Sequence, residues 1–294
     1  MDDASRLTER FEEHRSHLRA VSYRMLGSLS EAEDAVQEAW LRLNRADTRE
    51  VENLGGWLTT VVARICLNML RTRETRREDS LETYSADPSA GREEAVDPEQ
   101  EAVLADSVGL ALLVVLDRLT PAERLAFVLH DLFAVPFEDI APMLDRSAAA
   151  TRQLASRARR RVKGAAPQAG ADPSRRRHVV DAFLAATRGG DFEALVALLH
   201  PDVVLRADKA VIPSPAPVLI SGAVTVARGA MAAMQRARAT QPALVGGAAG
   251  LVMAPLGRLF LVLGFTIEDG LITEIDVVAE PERLRELDLA VLDA

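Results

Sequence analysis

Apolar side chains recur at helical spacing from near the start of the chain to about residue 164, then give way to short runs of strand type. Leu18, Val21, Met25 and Leu26 form one stripe. Ser30-Glu31-Ala32-Glu33 reads as a capping box opening a second helix, with Ala35, Val36, Ala39, Trp40 and Leu43 inside. A loop from Asn44 to Gly56 leads into a third helix through Trp57, Leu58, Val61, Val62, Ile65 and Leu70, which ends in the basic run Arg71 to Arg77. Residues 79–101 are acidic, hold Pro88 and Pro98 and lack an apolar period, which marks a linker.

Helical spacing resumes at 102 and ends in a helix-turn-helix pattern. Thr120 can cap a helix, Pro121 suits its first position and Glu123 completes a capping box. A short helix is predicted from Phe137 to Leu144, followed by a tight Asp145-Arg146 connection and a cap at Ser147. On the last helix Thr151, Leu154, Ala155, Ala158 and Val162 share the inner stripe, while Arg152, Gln153, Ser156, Arg157, Arg159 and Arg160 point outward. Arg pairs bidentately with guanine and Gln with adenine in the major groove, so this helix suits base reading. A solvated, basic helix end is the plainer reading of Arg157 to Arg161.

After a small-residue linker at 165–173, two helices and then strands are predicted. The strands fall at Val203–Leu205, Val218–Ile220, Leu251–Met253, Leu259–Ile267 and Leu271–Val278, with Asp269-Gly270 as a hairpin turn between the last two. Residues 174–294 therefore form a separate α+β domain behind two all-α parts, 1–78 and 102–164.

Charge sharpens this picture. The net charge of −9 opposes unaided DNA binding, yet residues 148–164 carry six basic side chains and no acid, and Arg71 to Arg77 is a second basic island. An acidic body with two basic islands points to DNA contact made with the help of a partner. The single cysteine, Cys66, excludes an internal disulfide and sits in an apolar run as a small buried hydrophobe. The longest apolar stretch, Leu251 to Phe265, is broken by Pro255 and Arg258 and is too short to span a bilayer. A soluble, cytoplasmic protein without cofactor or metal is expected.

The segments SEAEDAVQEAWLRL, GGWLTTVVARICLNMLRTRETRRED and the helix-turn-helix together resemble an extracytoplasmic-function (group four) RNA polymerase sigma factor. The part from Pro173 to Leu287 is similar to the SnoaL-like, cystatin-type cone domain fused to some of these factors. The resemblance implies promoter-specific initiation with core RNA polymerase, bound through its β′ clamp and β flap, with the extension regulating in cis. It places Asp34, Gln37, Glu38, Trp40 and Arg42 on the polymerase-binding helix, where Trp40 either anchors at the edge or packs in the core. Asn53, Trp57, Arg71, Arg73, Arg76 and Arg77 would serve the −10 element, with Trp57 also a core candidate. Ala148, Arg152, Gln153, Ser156, Arg157 and Arg160 would serve the −35 element.

The chain departs from the pattern at several places. Asn68 stands where Asp is usual, the segment RADKAV (Arg206 to Val211) replaces a Gly-rich motif after an Asp, and AEPERL (Ala279 to Leu284) replaces an Asn-Pro-Asp-Lys-Leu-like motif. Within 174–294 the groups able to move a proton are sparse: His200, Asp202, Asp208 and Asp276, each also readable as a turn or edge residue, and no tyrosine. No catalytic residue is expected, although the cone could take a small apolar ligand. The alternative function is a stand-alone helix-turn-helix regulator whose C-terminal domain senses such a ligand.

Overall fold

The structure is a computed structural model that describes residues 3–46, 51–79, 109–164, 173–211, 216–237, 239–255 and 258–292, the side chains of 3–6, 77–79, 235 and 236 excepted. Apart from Asp79 and Pro173, the two expected linkers lie outside the described residues. The chain forms two compact units, one of residues 1–108 and 116–159, the other of 109–115 and 160–294.

The first unit opens with α1 (Asp3–Leu26), α2 (Leu29–Arg45) and α3 (Leu54–Asp79). Leu18, Val21 and Met25 of α1, Ala32, Ala35 and Ala39 of α2, and Leu58, Val62 and Cys66 of α3 are buried. Gly27 adopts a left-handed φ of 75° and ends α1. The cap of α2 is Ser28, whose hydroxyl accepts from Glu31 N–H, rather than Ser30. The spacing from Ser28 to Glu31 is itself a capping spacing, and the left-handed Gly27 brings Ser28 to the cap position. The third helix begins earlier than expected, because Asn53 Oδ1 accepts from Gly56 N–H at 2.9 Å and caps it.

The same unit contains α5 (Pro121–Phe127), continued by a π-helical turn, Val128–Leu132, and α6 (Phe137–Ile140). Thr120 and Glu123 form the predicted capping box. The helix expected over Phe137 to Leu144 is α-helical only to Ile140 and tightens to a 3₁₀ turn at Ala141–Met143, since Pro142 has no N–H to donate. Asp145 takes a left-handed φ of 54° and turns the chain into α7 (Ala148–Lys163).

The second unit is a seven-stranded sheet ordered β2-β1-β6-β5-β4-β3-β7. Its strands are β1 (Leu199–Ala207), β2 (Val218–Ser221), β3 (Thr240–Val245), β4 (Ala248–Met253), β5 (Leu261–Glu268), β6 (Leu271–Val278) and β7 (Leu289–Ala290). Helices α8 (Pro173–Gly189), α9 (Phe192–Leu198) and α10 (Ala223–Ala232) supply Val180, Phe183, Leu195 and Val226 to one buried cluster with Leu251, Leu261 and Ile275. Asp269 and Gly270 both have positive φ, the geometry of the predicted hairpin turn. Strand β3 was hidden by Pro242. The structure tolerates it because β7 pairs only with Leu244 and Val245, leaving Pro242 at an open edge.

The opposite face of the sheet is divided. Arg206, Glu274 and Asp276 make a polar half with ion pairs of 3.0 and 3.8 Å, whereas Val252, Val262 and Val278 are buried. Helix α4 (Leu110–Leu116), which carries no polar side chain, belongs with this unit up to Val115, as does α7 from Arg160. By compactness, residues 109–115 and 160–164 go with the second unit and 116–159 with the first.

Candidate nucleic-acid interface

Helix α7 is built to be apolar behind and polar in front. Thr151, Leu154, Ala155, Ala158 and Val162 are buried. Arg152, Gln153, Ser156, Arg157 and Arg160 are exposed, and Ala148 is half-buried at the first turn. Ser147 Oγ accepts from Ala150 N–H at 3.2 Å, and Thr151 Oγ1 donates to Ser147 C=O at 3.0 Å, which fixes the start of the helix. Arg152 stands 3.9 Å from Glu138, with its guanidinium 5.2 Å from the Phe137 ring. Arg157 stands 4.0 Å from Glu123. These are long contacts between exposed arginines and local acids, weak enough to exchange for phosphate or base edges. Arg159 differs: it is half-buried and pairs with Asp131 at 2.8 Å, so it braces the π-helical turn instead of facing outward.

The second basic island is divided in a similar way. Arg71 and Arg76 are exposed, and the side chain of Arg77 lies outside the described residues. Arg73 is half-buried, pairs with Glu31 and donates from Nη1 to Leu26 C=O at 3.1 Å. In this arrangement it acts as a strut between α3 and the end of α1. Glu31, Glu38, Arg42, Asn68, Arg73 and Arg76 line an open groove of about 370 Å³ between α2 and α3. Asn53 is exposed at the start of α3, and Trp57 one turn later is half-buried.

Helix α2 presents two polar edges. Glu38 and Arg42 pair at 2.9 Å beside the α3 groove. Gln37 and Trp40 instead border a groove of about 450 Å³ against α1, where the Trp40 ring lies 4.9 Å from Phe11. Trp40 is therefore half-buried, with a packed inner side and an open outer one. Asp34 is exposed.

The proton-transfer candidates of the second unit are held in structural roles. Asp208 is 2% exposed. Its carboxylate accepts from Ala210 N–H at 3.2 Å and from Ala279 and Glu280 N–H at 2.8 Å, with Arg283 at 3.8 Å. Burial alone would raise its pKa, but the amide donors and Arg283 reverse that and hold it below the ordinary range. His200 Nδ1 accepts from Asp202 N–H at 3.2 Å within a local turn, and Asp276 faces Arg206 on the polar half of the sheet. Cys66 is buried, and burial pushes its thiol up to about 12, so it is inert as a nucleophile.

A capped three-helix region with a basic tail, joined to a helix-turn-helix with an exposed arginine face, is the architecture of a bacterial sigma factor. The Sigma-70 region 2 family matches residues 10–76, and the Sigma-70, region 4 family matches residues 109–162. The chain is 38% identical over 286 residues to the ECF RNA polymerase sigma factor SigJ of Mycobacterium tuberculosis, covering 93% of this chain and 91% of that protein. It is 35% identical over 283 residues to the probable ECF RNA polymerase sigma factor SigI of the same species, covering 93% of each. The crystal structure of Mycobacterium tuberculosis SigJ covers 94% of this chain and 98% of its own, at 34% identity and a TM-score of 0.44. The chain belongs to the extracytoplasmic-function sigma factors, which direct RNA polymerase to promoters and are not enzymes. Among the described residues no helix is long and apolar enough to cross a membrane.

Proposed function

We propose that α7 reads the −35 element through Arg152, Gln153, Ser156, Arg157 and Arg160, with Ala148 near the DNA at the first turn. The observation that carries this reading is the separation of the helix into a buried apolar back and an exposed Arg and Gln front. Asn53, Trp57, Arg71, Arg76 and Arg77 serve the −10 element, where an unstacked base costs a few kcal/mol and needs polar and aromatic contacts in return. Arg73 serves it only if its bonds to Glu31 and the end of α1 are exchanged for phosphate. The β′ clamp of core polymerase docks on α2, with Asp34, Gln37, Glu38 and Arg42 as polar contacts and the outer side of Trp40 as an anchor. The helix-turn-helix part meets the β flap.

The C-terminal domain regulates in cis. Val180, Phe183, Leu195 and Leu251 lie in the buried cluster shared by its sheet and helices.

In vitro transcription with purified core polymerase and a set of promoters tests the assignment. Arg152→Ala should cost about 1–3 kcal/mol at promoters whose −35 element presents its base and leave others nearly unchanged. Equal losses at every promoter would remove Arg152 from base reading. Glu38→Lys should weaken binding to core polymerase, and unaltered binding would remove that edge of α2 from the interface.

A further inference from the structure

The exposed face of α7 meets a shelf built by the segment that precedes it. Helix α5 runs on into the π-helical turn Val128–Leu132, whose wider winding shifts His130 and Asp131 from the positions an α-helix would give them. Ala134 then takes a left-handed φ of 55°, and Val135 folds back on the turn. Val135 N–H donates to Leu129 C=O at 2.9 Å, and Val135 C=O accepts from His130 Nδ1 at 3.0 Å. A carbonyl only accepts, so Nδ1 carries the proton of that bond. The His130 ring, fixed in this way, stacks on Phe137 with centroids 3.7 Å apart and planes 26° apart. Phe137 is itself buried at the start of α6.

Arg152 completes the stack. Its guanidinium lies over the Phe137 ring, 5.2 Å from the centroid, and its Nη2 stands 3.9 Å from Glu138 Oε1. A guanidinium is a flat, rigid fork of donors, so its aim is set by what touches its face and its edge. Phe137 supplies the face and Glu138 the edge, from consecutive residues of one short helix. Neither contact uses up the fork. A cation over a ring engages no N–H, and the carboxylate pair is long and exposed. An arginine that grips a base bidentately loses rotamer freedom, and one already held in place loses less.

We propose that Phe137 and Glu138 are positioning residues for base reading: they hold the Arg152 guanidinium in the pose that meets its base pair, and His130 braces the ring. This rests on the assignment of Arg152 to the −35 element. The base is the one a bidentate donor fork selects, guanine through O6 and N7. Neither Phe137 nor Glu138 need touch DNA, yet both set how sharply the protein discriminates at the one base pair that Arg152 reads. Discrimination at the base pairs read by other side chains of α7 is independent of the shelf.

The test uses the full chain with core polymerase, transcribing promoters in which each base pair of the −35 element is changed singly. Arg152→Ala identifies the position at which discrimination is lost. Phe137→Leu, which keeps an apolar side chain and removes the ring, should lower discrimination at that same position about two- to five-fold and leave the other positions unchanged. Glu138→Ala should lower it about two-fold. Phe137→Tyr, which keeps the ring, should retain the discrimination of the unmutated protein. In the Arg152→Ala background neither Phe137→Leu nor Glu138→Ala should change discrimination further, a result that a role limited to folding would not produce. Three results overturn the proposal while leaving Arg152 as a base reader: no change at its position, equal loss at every position, or an effect of Phe137→Leu that persists without Arg152. If Phe137→Leu loses helical circular dichroism, Glu138→Ala at its exposed position decides. A loss confined to the base pair of Arg152 then supports the shelf, and no loss overturns it. If Arg152→Ala itself singles out no position, the −35 assignment fails and the shelf fails with it.

Discussion

Each of the two units holds a buried charge satisfied mainly by backbone, and the two differ in what they join. In the helical unit the Arg124 guanidinium meets the carbonyl end of α1. In the sheet unit the Asp208 carboxylate collects the amides of Ala210, Ala279 and Glu280. Burial lowers the pKa of Arg124 to about 10, with Asp117 opposing and the nearby Arg73 adding to that fall, and the group stays cationic at neutral pH. Asp208 lies below its ordinary value despite burial, because its donors outweigh desolvation. Asp208 ties the end of β1 to the segment after β6, two neighbouring strands of one sheet that have no reason to part. Arg124 ties α5 to the end of α1, a hundred residues away in sequence. A backbone-satisfied buried charge thus joins strands of one sheet in one place and two helices in the other.

Removing the buried charge of the sheet unit should have the largest effect. Asp208→Ala leaves the Ala279 and Glu280 amides without their acceptor and should cost about 3–5 kcal/mol in the sheet unit. Hydrogen exchange at 199–207 and 271–280 would show it, and protection left unchanged would break the comparison at its firmer end. The same carboxylate predicts an acid dependence. Its folded pKa is depressed, so its contribution is present above the ordinary carboxylate value of about 3.9 and is lost as pH falls through the lower folded value. Asp208→Asn should flatten that part of the acid profile.

A smaller effect separates inward from outward arginines on α3. Arg73→Ala should lower the stability of the helical unit by about 1–2 kcal/mol in urea melts, since it removes a charged hydrogen bond and a half-buried pair. Arg76→Ala, at an exposed position, should leave the melt nearly unchanged and reduce the salt slope of promoter binding by about 1. Equal melts for the two variants would show that the strut at Arg73 is idle.

The smallest effect concerns His17, which lies edge-on to Phe133. Burial, with the neighbouring His14 adding to it, lowers its pKa. The unfolded chain therefore takes up the proton first as pH drops below about 6.5, and stability declines from there toward the lowered value. His17→Gln should remove that slope, as measured by melts between pH 7.5 and 5, values chosen to bracket the ordinary histidine range of about 6.5.

Much of this molecule was legible in one dimension, and the reason is local chemistry. The Thr120 and Glu123 capping box, the split of α7 into Thr151, Leu154, Ala155 and Ala158 behind and Arg152, Gln153 and Ser156 in front, and the Asp269-Gly270 turn all depend on residues within one or two turns of each other. Such signals survive without knowledge of the rest of the fold. Where two readings fit the same spacing, as with Ser28 and Ser30, sequence pattern alone could not choose, and the left-handed Gly27 did.

Only the tertiary structure decided which arginines face water. Arg71, Arg73 and Arg76 are alike in sequence, yet Arg73 turns inward because Glu31 and the end of α1, forty-odd residues away, offer it partners. Arg124 is one charge on an ordinary capped helix until α1 brings a dipole end against it. Asp208 likewise reads as a strand-end carboxylate until the segment after β6 brings two amides to it. Burial of charge depends on which distant backbone groups arrive to satisfy it, and that information lies in the packing of elements rather than in any window of the sequence.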